Sequence, residues 1–252
     1  MESSCLYCGS ISSNSVGCAH VLPDAVIANT ATLPRGAICD SCNQYLGHEL
    51  DAALAMHPAI AVAIQFAAAP GKRGRARQEL GGIAISPRDD GKIDIRMQAR
   101  YSEINDDDAG PSSATLDLAL PSRRDLDRIR RAIHHIGLNA FAYAHGLEAA
   151  LAPRFDPVRR YVRRPHPKQR WSFLERPVDQ PHGAPFSVGV FEACGNAFVS
   201  IRLRFTEFVV GLIPNADFAA HNGSNAYEEV NASYTTLSRS TLTWISASDA
   251  KP

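Results

Sequence analysis

The sequence predicts an α+β protein, and three observations carry that expectation. Two Cys-x-x-Cys pairs, Cys5 with Cys8 and Cys39 with Cys42, flank a histidine, His20, near the N-terminus. From residue 122 to about 151, apolar residues recur at helical spacing. On either side of that stretch, runs within 80–99 and 186–213 alternate apolar and polar side chains as half-buried strands do. A sheet with at least one long helix, after a cysteine-bearing N-terminal module, is the architecture these patterns imply.

The N-terminal module comes first. A Cys-x-x-Cys pair supplies two thiolates from one tight turn, and two such pairs suit tetrahedral zinc. Four sulfurs from Cys5, Cys8, Cys39 and Cys42 close the shell, so this Zn2+ would be structural. Two disulfides or four buried free thiols are the other readings, and nothing points to an oxidising compartment. Gly9 follows the first pair, where a turn around a metal favours a residue without Cβ. A helix is expected to start near Asp40 or Ser41, both good capping types. Leu46, Leu50, Ala53 and Leu54 continue it at helical spacing, and His57-Pro58 ends it. The alanine-rich stretch 59–68 reads as a second short helix.

The residues between and after the cysteines sharpen the reading. Cys5, Cys8, the run His20-Val21-Leu22-Pro23, and then Cys39, Cys42, Asn43, Gly47 and Asp51 form one ordered pattern. It resembles the HNH endonuclease family over about the first sixty residues. The resemblance implies a treble-clef or ββα-metal module, in which a hairpin carries the catalytic histidine and a helix completes the metal site. It implies His20 as the base and Asn43 as a ligand of a catalytic Mg2+ or Mn2+. A neutral Asn holds such an ion weakly, so a carboxylate is expected nearby. Asp51 recurs at four-residue intervals with Asn43 and Gly47; Glu49, His48 and Asp24 are further candidates. In the family an acidic residue or His precedes the catalytic histidine and binds the divalent ion. Here that position is Ala19, so the usual ligand is missing and the chain is expected to be slow or inactive. Natural degeneration, replacement by another side chain, or an introduced substitution would each account for Ala19.

The rest of the chain follows in order. The expected domains are 1–70, the zinc-binding nuclease module, and 71–252, an α+β domain. The basic loop 70–77, with Lys72 and Arg73, reads as a linker or as a phosphate-contacting arm. Residues 80–85 and 92–99 read as a hairpin, the acidic run 105–111 as a solvated loop, and Leu116, Leu118 and Leu120 as a strand. Ser122 or Asp125 caps the long helix, whose expected apolar face is Leu126, Ile129, Ile133, Ile136, Ala140, Phe141, Ala144 and Leu147. Adjacent helical residues point about 100° apart, so His134 and His135 read as surface or core-edge residues. Arg159, Arg160, Arg163, Arg164, Lys168 and Arg170 make the densest positive patch, with Tyr161 and Trp171 inside it. Arginines interleaved with aromatics suit phosphate contact and base stacking. An acidic protein partner is the alternative. An antiparallel meander over 186–213 and a last strand at 240–246, containing Trp244, complete the expectation.

Bulk properties narrow the function classes. The chain has 252 residues, with 26 basic and 26 acidic ones and a formal net charge of zero. Nucleic-acid binding must then come from a local patch, not from the global field. The N-terminus shows no basic-then-apolar signal pattern, and no apolar run is long enough to span a bilayer. Cys18 and Cys194 are expected reduced, in a cytoplasmic protein. The leading reading is a metal-dependent endonuclease acting on DNA, with RNA open and a protein partner or homo-oligomer not excluded. The alternative is a non-catalytic, zinc-containing module that binds nucleic acid or a partner.

Overall fold

The computed structural model describes residues 4–11, 15–23, 26, 31–57, 60–61, 64, 83–87, 93–97, 104–105, 113–117, 122–164, 171, 173–177, 186–193, 196–203, 206–214, 228–229 and 239–243. Asp24, Lys72, Arg73, Lys168, Arg170, Cys194 and Trp244 lie outside these residues, as do the acidic run 106–108 and most of the expected helix over 59–68. The chain divides into two compact units, one of residues 1–69 with 121–232 and one of 70–120 with 233–252. The expected α+β class holds: helices accompany antiparallel sheets, and four cysteines cluster at the N-terminal end.

The second unit is all strand among its described residues. Strands β1 (Ile83–Pro87) and β2 (Ile93–Met97) form the expected hairpin, with Ile85 opposite Ile95. Strands β3 (Ile104–Asn105), β4 (Ser113–Asp117) and β10 (Arg239–Thr243) form a sheet ordered β10-β4-β3.

The first unit holds the module, the long helix and the main sheet. Helix α1 (Asp40–Tyr45) leaves the second cysteine pair, widens to a π-helical segment over Leu46–Asp51, and ends as the turn α2 (Ala52–Leu54). Helix α3 (Arg123–His145) is capped by Ser122, whose Oγ accepts from the Asp125 amide at 3.2 Å. It was expected to run to about Leu151. It stops at Gly146, where φ is +90°, a conformation that favours glycine. A short helix α4 (Leu147–Ala150) and a further helix α5 (Asp156–Arg163) follow. The sheet order is β6-β7-β8-β5-β9, made of β5 (Phe173–Pro177), β6 (Phe186–Ala193), β7 (Asn196–Leu203), β8 (Thr206–Gly211) and β9 (Glu228–Glu229). Its pairings are antiparallel, with Val199 opposite Val190 and Val210.

The long helix is the centre of this unit. Residues 131–142 are buried on every side, so the single apolar face expected from periodicity is not what forms, and Ala144 is exposed. One continuous core joins Leu6, Leu22, Leu46 and Leu50 of the module, Ile133 and Phe141 of the helix, and Val199 and Val210 of the sheet. Gly137 explains how close the helix and sheet come. A Cβ there would meet Val210 Cγ1 at 2.6 Å, which no real Cβ tolerates. His135 and Asn139 stand two positions either side of Gly137, about 200° round the helix. The face away from the sheet is therefore the face that meets the cysteine module.

Candidate functional site

The cysteine pairs are brought together by the fold. The sulfurs of Cys5, Cys8, Cys39 and Cys42 all lie within 4.8 Å of one another, a cluster that could hold a metal ion. Each pair is shaped by backbone hydrogen bonds. The Gly9 amide, at φ +72°, donates to the Cys5 carbonyl at 2.9 Å, and the Cys5 amide to Ser10 O at 2.8 Å. The Cys39 amide donates to Cys5 Sγ at 3.3 Å, and Leu6 N to Ala37 O at 2.8 Å, joining the two knuckles. The thiols compete for one negative charge. A hydrogen bond from Cys42 holds Cys5 down to about 4, and the same bond, with burial, pushes Cys42 far up. A divalent cation would remove that conflict by accepting all four thiolates. A donor set of four sulfurs this close together fits structural zinc.

His20 stands on a minimal hairpin between the pairs. It forms an antiparallel bridge with Thr32, flanked by Val21 N to Ala31 O at 2.9 Å and Leu33 N to Ala19 O at 2.8 Å. Those flanking bonds make His20 and Thr32 the non-hydrogen-bonded pair, so the amide and carbonyl of His20 itself point out of the ladder. The imidazole is half-buried, and its Nδ1 is buried with no hydrogen-bond partner among the described residues. Ala19 and Val21, on the opposite face, are packed into the core, with Ala19 only 6% exposed.

Four polar side chains of the long helix face this module. Arg128 bonds Glu49 at 2.6 Å, Arg131 donates to the Tyr45 hydroxyl, His135 Nε2 lies 3.9 Å from Asp51 Oδ1, and Asn139 Nδ2 donates to the His20 carbonyl at 3.2 Å. Positions 128, 131, 135 and 139 recur at helical spacing and form one stripe. Tyr7, between the first two cysteines, completes it. Its hydroxyl lies 2.8 Å from both His135 Nδ1 and Asn139 Oδ1. Sequence reasoning placed His135 at the surface or core edge and passed over Asn139 and Tyr7. The stripe has a sequence signal, polar residues at i, i+3, i+7 and i+11, but that pattern looks like a solvated face until its partner is known.

The candidate divalent-ion ligands differ in their surroundings. Asn43 and His48 are exposed, whereas Asp51 is largely buried against His135 and Glu49 is engaged by Arg128. Asn43 lies in α1 and Asp51 at the end of the π-helical segment, eight positions further on. Among the described residues, the His/Cys/Asp/Glu group with metal-ligand spacing is the four cysteines.

The Asp51–His135 pair has a consequence for stability. Burial pushes the Asp51 carboxyl up to about 7 and the His135 imidazole down to about 3. Both are then neutral in the folded chain between those values. An unfolded Asp ionises near pH 4. From about pH 4 to 7 the folded Asp51 therefore holds a proton that the unfolded one has lost, and its contribution to stability falls as pH rises. Asp51→Asn abolishes that loss. Its unfolding free energy, relative to the parent, should rise by roughly 1 kcal/mol per pH unit across this window. Urea unfolding without added magnesium or manganese measures it, and a pH-independent difference would mean that Asp51 titrates as an ordinary carboxyl.

The arginine patch divides into two kinds of residue. Arg159 pairs with Asp156 and donates to Ala150 O at 2.8 Å. Arg163 lies over the Tyr45 ring at 4.5 Å, and its carbonyl accepts from the Tyr45 hydroxyl at 3.3 Å. Arg160 and Arg164 are exposed. Tyr161 and Trp171, expected as base-stacking platforms, are buried instead. Their rings stack on each other at 4.8 Å, and His134, itself fully buried, meets both edge-on. Each aromatic shields the other from water, so neither presents a face to a base.

The module thus consists of paired cysteine knuckles, a histidine on a short bridged hairpin, and a helix leaving the second knuckle. Residues 5–59 match the family model described as HNH endonuclease. That match supports a nuclease-type function for the module. Neither curated proteins nor solved structures gave a match to the chain. Among the described residues, no helix is long and apolar enough to cross a membrane.

Proposed function

We propose that this protein is a metal-dependent endonuclease that hydrolyses phosphodiester bonds of DNA, with residues 5–59 as its reaction module. The observation that carries the proposal is the family match over these residues, together with His20 held on a bridged hairpin between the two cysteine pairs of the sequence. Zinc at Cys5, Cys8, Cys39 and Cys42 keeps the hairpin and α1 in register and takes no part in the chemistry. A neutral imidazole can accept a proton near physiological pH, so His20 deprotonates the attacking water. Magnesium or manganese, bound at the exposed Asn43, would stabilise charge on the phosphate. The proposal leaves Asp51 to its contact with His135.

Plasmid nicking that needs magnesium or manganese tests this reading. His20→Ala should slow it by about 10²–10⁴-fold, the usual share of a general base, at unchanged zinc content. Retained DNA binding without cleavage in either metal would favour the second reading, a non-catalytic zinc module. Ala19 is the observation behind that alternative, since a buried methyl stands where the family's metal ligand is expected.

DNA contact in this proposal uses the exposed part of the basic patch. Replacing Arg160 and Arg164 by Gln should lower affinity and reduce the salt slope by about two units, one per lost phosphate contact. Arg159→Gln should instead cost stability, because its guanidinium ties α5 to the end of α4. An unchanged salt slope in the Arg160/Arg164 double variant would move the DNA surface elsewhere.

A further inference from the structure

We propose that Asn139, on the long helix, is a positioning residue for His20, held in one orientation by Tyr7 and His135. The proposal deepens the catalytic assignment of His20 and rests on it for its effect on rate. Its structural half stands on the hairpin alone. Asn139 lies some 80 residues beyond the family-matched segment, so nothing in that match includes it.

The argument starts from the hairpin. One bridge and two backbone bonds are little to hold a strand, and the carbonyl of His20 points away from both. A carbonyl in such a place needs a donor. Asn139 Nδ2 supplies it at 3.2 Å, from a residue with no exposed surface. The bond reaches the backbone of the proposed base itself.

The proton arrangement then follows from one end to the other. The His20 carbonyl can only accept, so the amide nitrogen of Asn139 must face it. Asn139 Oδ1 then faces Tyr7, and the Tyr7 hydroxyl donates to it across 2.8 Å in preference to the His135 carbonyl, a longer acceptor at 3.2 Å, since otherwise two oxygen acceptors would face each other at 2.8 Å. With its single proton committed, Tyr7 Oη can only accept from His135, 2.8 Å away at Nδ1. His135 therefore carries its proton on Nδ1, and its bare Nε2 faces Asp51. Any flip of the Asn139 amide sets two acceptors against each other at His20. A buried network with a single arrangement of donors and acceptors rigidifies what it holds. Here it holds the strand of His20 against the long helix, which Gly137 seats on the sheet.

The test uses the full-length zinc-loaded chain and three variants, Asn139→Leu, Tyr7→Phe and the double variant. Amide hydrogen exchange at Val21 and Leu33 reports the hairpin directly, whatever the activity. It should accelerate at least about tenfold in Asn139→Leu, with zinc content unchanged. If wild-type nicking is measurable, kcat should fall by about 10–100-fold with KM within about twofold, the cost of a misplaced group rather than of lost binding. Tyr7→Phe should give a smaller loss of the same kind, because the amide can then turn. The double variant should be no worse than Asn139→Leu, since both changes cut one chain of bonds. If Asn139→Leu fails to fold, Tyr7→Phe alone decides through the same two amides. Unchanged exchange at Val21 and Leu33 overturns the proposal even in a chain that cleaves nothing. Unchanged kcat in an active chain overturns it while the nuclease reading stands. Absence of cleavage in the parent, with accelerated exchange in the variants, would favour the non-catalytic reading of this chain and leave Asn139 as the residue that positions the hairpin.

Discussion

Replacing Cys42 by Ser should strip the metal from this protein and unfold residues 5–57, while the long helix and main sheet keep most of their structure. Cys42 is 1% exposed and Cys5 fully buried, whereas Cys8 is exposed, so Cys42 is a ligand on the inner side of the cluster, where a serine hydroxyl is a poor substitute for a thiolate. The hairpin it supports has one bridge between His20 and Thr32. Structural zinc in small modules contributes apparent binding free energies of about 10–16 kcal/mol, and that energy is folding energy. Losing one thiolate should remove several kcal/mol of it, enough to lower the melting temperature by about 10 °C or more. Elemental analysis should give one zinc per chain before the change and less than one after. Hydrogen exchange should then show fast amides at Leu6, Val21 and Leu33 and slow ones at residues 131–142. A variant that keeps both its metal and its melting temperature would show that the four sulfurs are not a zinc site.

Ala19→Glu should raise metal-dependent cleavage by orders of magnitude, and its stability should depend on the divalent ion. Position 19 is in the core, 6% exposed. A carboxylate there is desolvated, and an unpaired buried charge is strongly destabilising. An ion bound by that carboxylate stabilises the folded chain by mass action, about 2.7 kcal/mol at a concentration 100 times its Kd. The variant should therefore melt below the parent without magnesium or manganese and recover with it, whereas the parent should respond little. DNA affinity should stay nearly unchanged, since position 19 touches no substrate in the proposed arrangement. The comparison is made at matched zinc content. A variant that melts early in every metal and gains no activity would establish position 19 as a packing position, and the alignment of the catalytic strand with the family pattern would have to move.

The cysteine site was legible because its information is local. Two thiols in one tight turn announce a metal wherever the chain goes, and the fold had only to bring two turns together within 4.8 Å. Strand β7 was legible for a similar reason, since the alternation of Val199, Ile201 and Leu203 with Ser200 and Arg202 is a property of neighbours in sequence. The long helix was legible in place and start, through the Ser122 cap. Its C-terminal limit was not, because the break depends on a positive φ at Gly146 that an apolar pattern does not register.

The arginine patch shows where local reading fails. Arg159, Arg160, Arg163 and Arg164 look alike in the sequence. Their roles part only when Tyr45 arrives under Arg163 from more than a hundred residues away. Tyr161 and Trp171 looked like platforms for bases. They stack on each other because burying two aromatic faces together removes more apolar surface from water than leaving both to a ligand.

By itself, then, the sequence determined the α+β class, the four clustered cysteines, the nuclease-like pattern of residues 5–59 and most strands. Each of these is written in residues close together along the chain. Only the tertiary structure decided what the long helix is for. Arg128, Arg131, His135 and Asn139 spell a solvent-facing stripe until the opposite face is seen pressed onto the sheet at Gly137. With that face taken, the polar stripe turns to the module, and each buried group in it must find a partner or bear the cost of lost water. The partners are Glu49, Tyr45 together with the Val162 carbonyl of α5, Asp51 with Tyr7, and the carbonyl of His20, and all but Val162 lie in the module, far from the helix in sequence.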